Sequence, residues 1–522
     1  MGLGERLGRR QCDRREVMHT PVLIGVGQTV YRGEPRRSPE LSPAGLAAEA
    51  ACRALADARL TAEQAGIDRI AAVRMTADNR SPGRHPFGAA SNFPRAVANR
   101  IGADPRTAIY GVIGGQSPQD FVNECAEALH AGDCEMALIV AAEATGLERA
   151  ATRAGIALDW HEDVDGHVED RGPGDMAIHP VEVRHGLYVP VTVYSLIEHA
   201  QRARLGRSRV EHAQAMAELF AAFSRVAAAN PHAQFPVERS PDFLAAQSTD
   251  NYRVSDPYLK WLVAQDAVNQ GAAVLMTTDA RADALGVPRD KRVYLHGYAS
   301  VADLPLIERP DLGRSHAAEL ASAAAFEMAE ARPDQVRLMD IYSCFPCAVV
   351  AACEALGIPA DDGERLTVTG GLPYFGGPGN GYSLFAIAEL AARLRAAHGE
   401  LGLISANGGF MSKESVGLYS TERPQQWRPL AASDFASTIA SGRVPVDPAP
   451  QVLAQIESFT ISYAKGQPSG AAIIGRAEAG ARIAAAAMPG SPELDSLLAG
   501  EPIGRRIRVE SGSKANGFSF AN

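Results

Sequence analysis

Nowhere in its 522 residues does the chain hold an uninterrupted apolar run of membrane length, and its N-terminus lacks the apolar core of a signal peptide. A cytoplasmic protein is therefore expected, with no membrane partner. Lysine and arginine form no run interleaved with aromatics and the net charge is −10, so nucleic-acid binding has little electrostatic support. Cysteine is scarce: seven residues, an odd number scattered over a large chain, argue for free thiols in a reducing compartment. "GVGQT" (25 to 29) falls short of a full dinucleotide-binding fingerprint. What is present is ordinary for a globular chain, 46% apolar and 21% charged. The length exceeds one core of normal size, so two or three domains are expected. Residues 1–17, "MGLGERLGRRQCDRREV", carry five arginines without an apolar period; they read as a disordered tail, or as sequence preceding a true start at Met18.

Strand and helix patterns alternate up to about residue 145. "PVLIGVGQTV" (21–30), "IDRIAAVRMT" (67–76), "RTAIYGVI" (106–113) and "CEMALIVAAEA" (134–144) read as strands. "PAGLAAEAACRALADARL" (43–60) and a segment from Pro118 read as helices. Alternation of this kind implies a mostly parallel sheet covered by helices. The order returns after residue 290: strands at 291–300, 335–343, 365–371 and 401–409, with helices over 316–331 and after Gly381. The core therefore reads as a duplication of two βαβαβ halves, 18–290 and 291–424. Residues 146–250 interrupt the first half as an insertion. After about 424 the proline-containing "ERPQQWRP" reads as a linker, and short strands separated by glycine-containing turns predict a small β-barrel over 425–522. That tail is expected to be separable, leaving a folded core.

Within "YGVIGGQSPQDFV" (110–122) a strand turns into a helix, the place where many enzymes display a nucleophile among free amides. The turn offers Gly114, Gly115, Gln116 and Ser117, and no obvious nucleophile. Ser117, before a proline and three residues ahead of Asp120, has a capping-box arrangement. "CFPC" (Cys344 to Cys347) at a strand-to-helix turn is similar to a thioredoxin redox motif, but its place in the second half-repeat argues against that chemistry, and its thiols are expected not to be redox-active. "HEDVDGHVED" (161–170) gathers His161, Asp163, Asp165 and His167, but its spacing fits no calcium loop and reads as a solvated face, so no metal site is expected. The loop "GGLPYFGGPGNGYS" (370–383) has enough glycine for backbone to approach a ligand closely.

These phrases, with "AAANPHAQFP", "DPYLKWLVAQDAVNQGAAVLM" and "ANGGFMSK", occur in an order that resembles the thiolase superfamily over residues 20–424. The likeness is strongest to sterol-carrier-type thiolases and to type 1 thiolase-like proteins. It implies a thiolase fold, duplicated halves in αβαβα layers, and a C-terminal barrel of oligonucleotide-binding type. It also implies acyl-CoA chemistry in lipid metabolism: acyltransferases of this family, such as acetyl-CoA acetyltransferases, use a nucleophilic cysteine, a histidine, a second cysteine and an Asn-Glu or His-Asp pair. Laid on this chain, the nucleophile falls on Gly115, or on Gln116 with a one-residue slip. The pair falls on Tyr342 and Ser343, the histidine on Gly377 and the second cysteine on Ala406.

The resemblance thus implies a chain that binds CoA or acyl-CoA, holds no tightly bound cofactor, and lacks the Cys/His/Cys set for thiolysis or Claisen condensation. Gln116, Ser117, His185, Tyr342, Gly376, Gly377, Asn380, Tyr382 and Asn407 are the ligand-contact candidates; His185 lies in the insertion, where the family builds its acyl pocket. A Gly115→Cys variant is expected to supply an alkylatable thiol without thiolysis. The alternatives are an acyl-CoA enzyme of changed mechanism, acyltransferase or retro-aldol type, with Tyr342, Ser343 or Cys344 recruited, and a protein-interaction module. Either a monomer or a homodimer fits.

Overall fold

A computed structural model describes residues 19–79 and 83–521, and the tail expected over 1–17 lies outside the described residues. Strand β1 (Pro21–Val30) leads to helix α1 (Pro43–Asp57), then β2 (Arg69–Ala72), β3 (Thr107–Tyr110), α2 (Ser117–Ala131) and β4 (Met136–Glu143). The insertion carries α3 (Pro190–Arg204) and α4 (Arg209–Ala229) before β5 (Gln270–Thr278). The second half follows as β6 (Val293–Ala302), α5 (His316–Met328), β7 (Val336–Ile341), α6 (Pro346–Leu356), α7 (Tyr382–Ala396), β8 (Leu401–Gly408) and β9 (Lys413–Ser420).

Hydrogen bonding joins these strands in one sheet. Outward from a seam, one half reads β1, β5, β4, β2, β3 and the other β6, β9, β8, β7, so four strands of each half correspond place for place. The seam is narrow, an antiparallel contact of Val22 with Tyr294 and Leu23 with Val293. Helices α2 and α7 touch each other and strands of both halves, while α1 packs on β1 and β5, and α5 on β6 and β9. This is the αβαβα layering of a thiolase fold.

One packing device is written into both halves. A Cβ on Gly25 of β1 would strike the Ala54 carbonyl of α1, and one on Gly297 of β6 would strike the Ala325 carbonyl of α5. Glycine in the strand and alanine on the helix let the two backbones approach more closely than larger side chains permit. The glycines of "GVGQT" therefore serve helix packing. Both helices are also held at their starts by serine caps, Ser42 accepting from the Gly45 amide and Ser315 from the Ala318 amide.

The strand expected at 365–371 does not form. Asp340, fully buried at the end of β7, accepts from the Val368 and Thr369 amides (both 3.0 Å) and from the hydroxyls of Thr367 and Thr369. Wrapping around one carboxylate takes the backbone donors that a ladder would need. Two strands central to the sheet, β5 and β9, had no strand reading in the sequence.

The tail forms a second, antiparallel sheet: β10 (Gln451–Ala464), β11 (Gln467–Ala477), β12 (Arg482–Ala487), β13 (Arg506–Glu510) and β14 (Gly517–Phe520), in the order β12-β11-β10-β13-β14. It curls so that the Ala486 amide in one edge strand reaches the Asn516 carbonyl beside the other at 2.9 Å. Alternation along β11 sends Ile473 into the tail's own core and Ala472 and Ile474 into the main core. The tail, expected to be separable, is packed against the core. Trp427, in the stretch read as a linker, is buried against Tyr298 and His130. Residues Ser255–Asp256, just after the insertion, pair with Ile461 and Ser462 of β10. His199 of α3 stacks on Phe459 at 3.9 Å, and the buried Arg482 donates to the carbonyls of Ile307 and Arg309.

Removing residues 425–522 is expected to uncover this apolar and hydrogen-bonded surface and to leave the core aggregating or without a cooperative unfolding transition. Circular dichroism and chemical denaturation of the truncated chain check it; a soluble core with a single sharp transition would contradict the interface.

Candidate functional site

Four loops meet at the ends of β3, β7 and β8 and at the start of α7. The first is the turn from β3 into α2. Its Gly114 has φ +142°, a conformation that favours glycine. The Gly114 amide donates to Asn380 Oδ1 at 3.0 Å, and Asn380 Nδ2 donates on to the Arg74 carbonyl at 2.8 Å. Ser383 Oγ donates to the Gly115 carbonyl at 2.7 Å. The turn is thus pinned by the first residues of α7 and the loop before it.

Above Gly115 there is no space. A Cβ built there would lie 2.5 Å from the Asn407 carbonyl oxygen and closer still to the Tyr342 hydroxyl. Tyr342 reaches this point from the end of β7, its amide bonded to the Ser405 carbonyl at 2.9 Å and its ring set edge-on to Tyr382 at 5.4 Å. Burial pushes the Tyr342 phenol well above its usual range, so it stays protonated. The Tyr382 hydroxyl donates to Asp340 Oδ1 at 2.8 Å, which ties the ring to the loop that Asp340 organises.

From the insertion comes Tyr194, absent from the sequence-derived candidates. Its hydroxyl accepts from Asn407 Nδ2 (3.1 Å) and from the Met411 amide (3.2 Å), and its ring stacks on Phe345 at 4.3 Å. The cavity left beside Tyr342, Ser405, Asn407, Met411 and Glu414 measures about 10 Å³, room for roughly one water. Glu414 of β9 faces it, with one hydrogen bond from Ser315 Oγ at 3.3 Å. Burial raises the Glu414 carboxyl to about 8, against the opposing pull of Arg309.

The structure thus brings Gly115, Gln116, Tyr342, Asn380, Tyr382 and Asn407 into one neighbourhood. The Gln116 Oε1 atom, buried without a partner, sits where Cβ atoms on Gly114 and Gly408 would go. Others fall elsewhere. Ser343 accepts from the Leu372 amide at 3.2 Å. Gly376 and Gly377 lie against Val268, Gln270 and the Gln265 carbonyl, and Ala406 is a fully buried strand residue opposite Ser415.

Two readings need correction. Ser117 does not cap the helix: α2 starts one residue sooner than a serine cap requires, with Gln116 at the cap, and Ser117 Oγ donates back to the Val112 carbonyl at 3.0 Å. Asp120 instead accepts from Ser300 Oγ at 2.7 Å. His185 has no nitrogen left for a ligand, since Nδ1 bonds the Val181 carbonyl at 2.7 Å and Nε2 accepts from the Asn516 amide at 2.9 Å. It joins the insertion to the tail.

The "CFPC" thiols are both buried and unpaired with each other. Burial raises Cys344 to about 12 and pushes Cys347 well above the usual thiol value, the opposite of an activated thiolate. In "HEDVDGHVED", His161, Asp163, Asp165 and His167 are exposed. Among the described residues no helix is long and apolar enough to cross a membrane.

Duplicated halves, central helices α2 and α7, and loops converging at a β3–α2 turn define the thiolase superfamily. The chain belongs within it to the SCP2-thiolase-like proteins of type 1: it is 38% identical to the monomeric SCP2-thiolase-like protein type 1 of Mycobacterium smegmatis, over 96% of this chain and 99% of that one, with a TM-score of 0.80. Two further solved structures share the fold. The Ltp2-ChsH2(DUF35) aldolase is 18% identical with a TM-score of 0.58, covering 78% of this chain and 99% of that one. The acetyl-CoA acetyltransferase of Syntrophomonas wolfei is 15% identical with a TM-score of 0.55, covering 78% of this chain and 100% of that one. A curated acetyl-CoA acetyltransferase of Methanothermobacter thermautotrophicus is 26% identical over 214 residues, 37% of this chain; the match spans about half of that relative, 54% of its length. No protein-family model matches the chain.

Two outcomes are expected. Gly115→Cys is destabilising by about 1–3 kcal/mol, the usual range for overpacking, and Tyr342→Ala in the same chain relieves most of that loss; denaturant titration of the two single variants and the double checks the coupling, and additive losses would contradict it. Glu414 carries its proton in the fold at pH values where the unfolded chain has lost it. Stability should therefore fall as pH rises from the ordinary 4.5 to about 8 and level off beyond. Glu414→Gln is expected to flatten that slope; an unchanged pH profile would contradict the assignment.

Proposed function

We propose that this protein binds CoA or an acyl-CoA and runs neither thiolysis nor Claisen condensation on it. The observation that carries the reading is the Tyr342 hydroxyl standing in the place of a side chain at Gly115. Covalent transfer of an acyl group needs a nucleophile within reach of the carbonyl, a base to activate it and amides to hold the oxyanion. Glycine at 115 offers no nucleophile, and Gly377 and Ala406 supply neither base nor proton donor. Groups that act as a unit lose far more together than singly, so restoring one of them is expected to restore little.

Binding asks for less: a shaped surface and a few fixed polar groups. Gln116, Asn380 and Asn407 are the proposed contacts from the core. Membership of the thiolase superfamily supports CoA as the ligand class, and the filled space above Gly115 supports a ligand whose acyl end stays clear of that residue. The thiols of "CFPC" have no part in the reading, since both stay protonated at neutral pH.

Calorimetric titration with CoA, acetyl-CoA and longer acyl-CoAs, together with a thiolysis assay on acetoacetyl-CoA, tests both halves. Saturable heat with at least one ligand and no turnover above background are expected. The absence of heat and of any thermal shift would remove the ligand, and clear turnover would remove the claim of lost chemistry.

A further inference from the structure

Where the insertion meets the tail, the turn between α3 and α4 faces the end of the short helix Pro492–Ala499 across an open groove of about 650 Å³, within the size range of small-molecule sites. Three guanidinium groups line it, Arg202, Arg207 and Arg209. Arg202 is 2% exposed and fixed: Nη1 donates to the Arg207 carbonyl at 2.9 Å, and Nη2 lies 2.6 Å from the Glu501 carboxylate. Arg209 is held by the Leu497 carbonyl at 2.8 Å and by the face of Phe459 at 5.0 Å, with Asp256 3.5 Å behind it. Its Nε is buried without a partner. The Arg207 guanidinium enters no hydrogen bond or ion pair with the described residues. Leu498 and Ile503 give the facing wall an apolar surface.

We propose that this groove binds a small molecule carrying a phosphate or pyrophosphate on an apolar or aromatic body. Of the carboxylates beside these three cations only Glu501, itself half exposed, lines the groove, while Asp256 pairs with Arg209 from behind. Glu501 occupies the place of the anion, and an incoming phosphate takes over its bond to Arg202 while Arg207 and Arg209 close on the other oxygens. Planar guanidinium groups suit two-point contact with phosphate oxygens. The apolar wall favours an organic phosphate over a bare ion. None of the groove's residues lies among those around Gly115, so the proposal stands independently of the CoA reading.

ADP and inorganic pyrophosphate are the probes, titrated calorimetrically into the full chain. Saturable ADP binding is expected, with pyrophosphate competing more weakly. Arg207→Glu, a change at a partly exposed side chain, should weaken ADP by about tenfold or more, as reversal of a contacting charge does, while its melting curve stays that of the wild type. Glu501→Gln should tighten ADP, because the competing carboxylate charge is gone. No saturable binding of either probe, or ADP binding that Arg207→Glu leaves unchanged, would overturn the proposal.

Discussion

The Tyr342 ring and a side chain at position 115 claim the same volume, and the arrangement of the loops follows from which of them has it. With glycine at 115 the ring lies down over the β3–α2 turn, braced edge-on by Tyr382, which Asp340 and Thr369 hold by the hydroxyl. Asp340 in turn gathers the loop 367–369 that leads towards α7. These are buried, paired polar groups of the second half of the duplication, and Asn380 and Ser383 carry the bonding across to Gly114 and Gly115 of the first. Such groups are costly when left single and firm when complete. A site built this way is stiff, and what it holds in place is an aromatic plug.

The insertion and the tail extend the same theme. Tyr194 reaches in from α3 to bind Asn407 and the Met411 amide. The opposite face of α3 carries His199 onto Phe459 of the tail. One helix therefore connects the tail to the floor of the site, and Arg482 anchors the tail's sheet on carbonyls of the second half. The tail is built as part of the molecule's body, with one face of β11 in each core.

The sequence carries the duplication clearly because helix and strand periods are local, and β1 is found over the residues expected. The strands β5 and β9 escaped notice because both run antiparallel to their neighbours in the middle of the sheet, where burial on both faces removes the alternation that marks a strand. The stretch 365–371 has the β-branched residues of a strand and becomes a loop because a carboxylate distant in sequence captures its amides. Gly115 and Tyr342 could be singled out by position, but nothing local says that one fills the space the other leaves. Tyr194 had no signal at all: its role is set by where α3 lies. His185 shows the reverse error, a residue type suited to a site whose two nitrogens are spent on Val181 and Asn516. The serine of "SPQD" misled for a smaller reason, a helix that starts one residue sooner.

Covalent capture of an acyl group is the step that the proposed function denies this chain. Intact-mass spectrometry of the protein after incubation with acetyl-CoA and acetoacetyl-CoA reads that step directly, without depending on release of product. The account predicts an unchanged mass at every time and concentration below chemical acylation of surface lysines. A stoichiometric acyl adduct on Cys344, Ser343 or Tyr342 would contradict it.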